Sequence, residues 1–169
     1  MSSLKSFSAF LDGSRIASGS LPVVIAALRA GGIDPRCALV FDDSTGDSVQ
    51  LTSAEAVTAD RAAPISLDVR ILPRHREWLE AQPGGPSATI RRLIEAGRRD
   101  PAAQVRQAKT AAYRFISMLA GDFAGYEEAC RALFAGDAGH FGVATAAWPA
   151  DIRDYGRDLA KPAFGGHHA

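Results

Sequence analysis

At 169 residues, 47% of them hydrophobic, the chain can bury one solid core, and its composition is that of a globular protein. It has no run of about 18 apolar residues and no charged leader followed by an apolar stretch, so neither a transmembrane helix nor a signal peptide is expected and a cytoplasmic location is the default. The formal net charge is zero, which argues against a nucleic-acid binder, but residues 1–64 carry −2, residues 65–99 carry +3 and residues 100–169 carry −1.

Residues 7–11 alternate, Asp12-Gly13 is a favoured two-residue turn, and a short run at 15–18 follows, so the chain is predicted to open with a β-hairpin. A helix over residues 21–29 has Ser20 as N-cap, Pro22 in its first turn and Gly31-Gly32 as its stop. Strands at 38–41 and 49–51 flank an acidic turn containing Asp42, Asp43, Gly46 and Asp47. No frame through that turn supplies the alternate ligands and final glutamate of a calcium loop, so it reads as a plain hairpin turn. Residues 52–64 lack periodicity and read as a linker, with a boundary near Ala62. Cys37 and Cys130 are far apart in sequence and fit reduced, packed thiols better than a disulfide framework or a zinc site.

The basic segment comes next. Ile65, Leu67, Val69 and Ile71 alternate with Ser66, Asp68 and Arg70, which predicts a strand with one apolar and one polar face. Pro73 starts a helix anchored by Trp78 and Leu79, and Pro83-Gly84-Gly85 ends it. Ser87 stands at the N-cap or first turn of a second helix, in which Ile90, Leu93, Ile94 and Gly97 share one side and Arg91, Arg92, Arg98 and Arg99 take the remainder. All seven cations of the segment are arginines, the side chain suited to bidentate phosphate and guanine contacts.

After Asp100-Pro101 the sequence reads as helical. Val105, Ala108, Ala112, Phe115 or Ile116, and Leu119 form a stripe closed by Gly121. A repeat at a spacing of 15, from Ala120 and from Ala135, matches Asp122 with Asp137 as N-caps, Tyr126 with Phe141, and Ala129 with Ala144. Pro149 starts a last helix through Ile152, Tyr155 and Leu159. The expected fold class is therefore α+β: a small ββαββ unit at 1–62, a strand-helix-helix at 63–100, and a helical bundle at 101–169.

The strand, the proline-started helix, the glycine turn and the pattern Ser87, Ile90-Arg91, Ile94 resemble the ribbon-helix-helix regulators of bacteria, of the Arc and MetJ kind. That resemblance covers about 35 residues. It implies a homodimer whose paired strands enter the major groove, with Ser66, Asp68 and Arg70 reading bases and Gly85, Ser87, Arg91 and Arg92 at phosphates. The first amides of a helix lack intrahelical acceptors and lie at the positive end of its dipole, which is independent support for an anion near Ser87. Two alternatives stay open: Ser87 caps its own helix, and the segment completes an internal core or meets a protein partner. The longer run of LPRH at Leu72, AQPGGPS at Ala81, AYRFIS at Ala112, RALFAGD at Arg131 and AWPADIR at Ala147 is similar to a bacterial family catalogued as a domain of unknown function, which implies no activity.

Motifs of hydrolases, nucleotide binders and zinc proteases are absent from the sequence, and no cofactor, metal site or membrane association is expected. His75 lies between arginines, and Glu127 and Glu128 are adjacent on one helix and so diverge. The functional expectation is a DNA-binding regulator, with an interaction module as the alternative, its C-terminal helices offered to a protein partner, and a small-molecule enzyme built from distant residues as a third reading.

Overall fold

The computed structural model describes residues 5–51 and 68–165. The linker at 52–64, the first three residues of the strand expected from Ile65, and the tail from residue 166 lie outside them. Within this range the chain is α+β, beginning with strands β1 (Phe7–Leu11) and β2 (Ser14–Gly19), helix α1 (Leu21–Ala30), and strands β3 (Leu39–Asp42) and β4 (Ser48–Val49). Helices α2 (Pro73–Glu80), α3 (Gly85–Arg99), α4 (Pro101–Leu119), α5 (Tyr126–Ala135), α6 (Ala138–Ala144) and α7 (Ala150–Phe164) follow.

The four strands form one antiparallel sheet in the order β2-β1-β3-β4. Asp12 and Gly13 both take positive φ, 50° and 80°, which matches the right-handed twist of the strands they join and makes the expected hairpin. β1 is central, and its side chains divide between two cores. Phe7 and Ala9 pack with Leu21, Val24, Ile25 and Leu28 of α1, whereas Phe10 joins Phe41 against α4 and α7.

That second core is aromatic. Phe115 of α4 lies 5.0 Å from Phe41, 5.3 Å from Phe10 and 4.6 Å from Tyr155 of α7, ring centre to ring centre, and the crossings are tilted or edge-on, as ring quadrupoles favour. The predicted stripe on α4 is largely right: Ala108, Ala112, Phe115 and Ile116 are buried, and Ala111 joins them. The sheet thus lies between α1 on one face and the α4–α7 pair on the other. Gly46, in the β3–β4 turn with φ 67°, lets the turn close on α4, since a Cβ there would lie 2.1 Å from the Ala111 carbonyl oxygen.

Three expectations need correcting. Asp137 caps α6 through the His140 N–H at 2.9 Å, but Asp122 caps nothing, because α5 starts only at Tyr126 after Gly125 in the left-handed region. Cys37 is exposed rather than packed, and both cysteines are free thiols. Residues 68–72 belong to no strand, so the described part of the predicted β-strand has no ladder partner among the described residues.

Candidate nucleic-acid interface

The segment singled out by its arginines folds as a helical hairpin, preceded by residues 68–72 outside any helix or strand. Pro73 opens α2, where its missing N–H costs nothing, and Leu72 before it is extended, as a residue preceding proline prefers. The hairpin turn uses two glycines in succession, Gly84 at φ 84° and Gly85 at φ 75°, conformations that other residues adopt only under strain. α2 and α3 pack on each other, and α3 runs into α4 with Asp100 between them.

Little of this hairpin is buried. Leu79 and Thr89 are the buried side chains of the pair, and the Thr89 hydroxyl has no hydrogen-bond partner. Val69, Ile71, Leu72, Trp78, Ile90, Leu93 and Ile94 are 43–61% exposed. The sequence grouped Ile90, Leu93 and Ile94 on one side of α3, and α3 carries them there, but no part of the described chain covers that side.

The arginines of the segment are exposed as well. Arg76 pairs with Glu80 at 2.8 Å and Arg98 with Glu95 at 3.0 Å, each within one turn of its own helix. Arg70, Arg74, Arg91, Arg92 and Arg99 are exposed and make no ion pair among the described residues. Asp68 is exposed near Arg70 in sequence, and Ser66 lies outside the described residues.

At the start of α3 the N-cap is Gly84, not Ser87, which stands in the first turn, and no side chain caps the helix. The Gly85 N–H donates to the Gln82 carbonyl at 3.0 Å, and Pro86 has no N–H to offer. The Ser87 amide and its exposed hydroxyl stand in the first turn, where helix amides lack intrahelical acceptors. Arg91 follows one turn later. Ordering these groups from sequence required the start of α3 to be known to one residue, and the Pro-Gly-Gly-Pro run allows several starts.

No curated protein and no solved structure gives a significant match to the chain. Among the described residues no helix is long and apolar enough to cross a membrane. Residues 61–160 match the family described as "Uncharacterized protein conserved in bacteria (DUF2239)", a span that takes in the hairpin and most of the helices packed on the sheet. The chain belongs to that family.

Proposed function

We propose that the protein is a cytoplasmic DNA-binding regulator that acts as a homodimer through residues 63–100. The observation that carries this reading is the uncovered apolar surface of Val69, Ile71, Leu72, Trp78, Ile90, Leu93 and Ile94. Burying one such side chain fully is worth about 1.5–3 kcal/mol, so a half-core of this size favours association. A second copy is the occupant that fits, because an apolar patch carried by both partners can meet itself about a two-fold axis, and residues 68–72 belong to no strand among the described residues. Pairing those runs across the dimer would form the ribbon, with Ser66, Asp68 and Arg70 turned toward base edges. Ser87 would hold a phosphate through its amide and hydroxyl, with Arg91 and Arg92 beside it.

A second reading rests on a separate observation. Tyr113 and Phe134 stack at 5.5 Å on the exposed side of α4 and α5, an aromatic pair open to a protein partner.

Sedimentation and DNA titration test the main reading together. The expected mass is about twice 17.8 kDa at micromolar concentration. Leu93→Asp should return the monomer and abolish DNA binding. Arg91→Ala should weaken binding to all sequences and lower the slope of log affinity against log salt by about 1, the signature of one lost phosphate contact. A strict monomer, or a dimer whose DNA binding is absent or indifferent to salt, overturns the proposal; the second result leaves the interaction module.

A further inference from the structure

A hollow of about 460 Å³ lies between the sheet and the α4–α7 pair, on the side of the molecule where the strand turns meet α7. Its cation reaches it through an irregularity in the sheet. Ala9 of β1 pairs with Ala17, but Phe10 pairs with Arg15, so Ile16 is an extra residue in β2. Residues opposite each other on neighbouring strands share a face, so this bulge puts Arg15 on the face of Phe10, toward α7, where regular pairing would have put Ile16. The Arg15 backbone N–H donates to Asp151 at the start of α7, at 2.8 Å, and its guanidinium stands 5.5 Å from the centre of the Tyr155 ring. No carboxylate pairs with that guanidinium among the described residues.

The other end of Tyr155 meets a carboxylate. Its hydroxyl donates to Asp43 Oδ1 at 2.6 Å, and Asp43 is the first residue of the turn after β3. Burial and then the Asp43 carboxylate push the phenol far above its usual range, so it remains a donor. Asp158, one turn beyond Tyr155 on α7, lines the same hollow. Neither Asp43 nor Asp158 has a cationic partner among the described residues. A cation beside the Tyr155 ring and two carboxylates, one of them at its hydroxyl, therefore line one hollow without an ion pair among the described residues.

We infer that this hollow binds a small zwitterion of the amino-acid class, its carboxylate on Arg15 and its ammonium between Asp43 and Asp158. A simple carboxylic acid would satisfy Arg15 and face two carboxylates, and a simple amine would leave the guanidinium unmatched. Apolar Ala108 and Leu159 in the lining suit a short aliphatic side chain. Gln104, also in the lining, donates its side-chain amide to the Arg98 carbonyl at 3.0 Å, so the ligand would lie one residue away from the last turn of α3. The site stands whether or not the chain binds DNA.

Calorimetric titration of the full chain with each common L-amino acid, followed by the amine and the carboxylic acid corresponding to the best binder, tests it. At least one amino acid is expected to bind with Kd of about 1 mM or tighter. Each half-analogue should bind about tenfold more weakly, since each forgoes one set of charge-assisted hydrogen bonds. Arg15→Gln and Asp158→Asn alter exposed side chains, so melting temperature and circular dichroism should match the parent while affinity falls about tenfold in each. The inference is overturned if no amino acid binds at about ten times that concentration. It is equally overturned if a half-analogue binds as tightly as the amino acid, or if both variants bind as the parent does.

Discussion

The Asp42 carboxylate is buried at the end of β3, where it accepts from the Ser44 N–H at 2.8 Å and from the Ser44 hydroxyl, and pairs with Lys5 at 3.2 Å. Burial alone would raise its pKa, but the Ser44 hydrogen bonds and the Lys5 ammonium outweigh burial and hold it below the usual carboxylate value. A carboxyl whose folded pKa is depressed contributes stability above its unfolded pKa, about 3.9, and loses that contribution as pH falls through the folded value. Asp42→Asn should therefore lower stability by about 1 kcal/mol at neutral pH, and the gap from the parent should close below about pH 4. Denaturant titrations at a series of pH values check both halves. The turn that holds Asp42 was legible because acidic residues around a glycine between two apolar runs favour a hairpin turn. What the same letters do not encode is tertiary contact: that Gly46 lies against the Ala111 carbonyl, or that a bulge at Ile16 turns Arg15 toward α7.

Helices were read from their ends as much as from their stripes. Asp100-Pro101 shows why this works: the Asp100 carboxylate accepts the Ala102 and Ala103 amides at 3.1 Å each, and Pro101 occupies a first-turn position that needs no donor. Asp100→Ala should cost about 1 kcal/mol, measurable as a lowered melting temperature with the fold retained. The repeated Ala-Gly-Asp has two different outcomes. Asp137 has a helix beginning immediately after it, whereas Gly125 moves the start of α5 beyond the reach of Asp122. Likewise, periodicity assigned Ile90, Leu93 and Ile94 to one side of α3, but a period defines a side and not what covers it. That missing cover is the feature on which the proposed dimer depends.

At the scale of the whole molecule, the first 51 residues and the last helices are not independent in their packing. Phe10 and Phe41 from the sheet, Phe115 from α4 and Tyr155 from α7 form one aromatic cluster. The order of elements was legible from local patterning, but this meeting of distant segments was not, because alternation in β1 predicts one buried face and both are buried. A chain starting at residue 52 would keep the whole family-matched span, 61–160, and yet expose Phe115 and Tyr155. It should lose cooperative thermal unfolding and bind a hydrophobic dye, while the full chain does neither.

The same arrangement sets a timetable for folding on the ribosome. The sheet's last strand ends at Val49 and its α1-facing core can close at once, but Phe10 and Phe41 wait for Tyr155. At about 5–20 residues per second, the intervening synthesis takes on the order of 5–20 s. Throughout that interval a nascent half-sheet presents an uncovered aromatic face, so the order of synthesis itself exposes apolar surface that the finished fold buries.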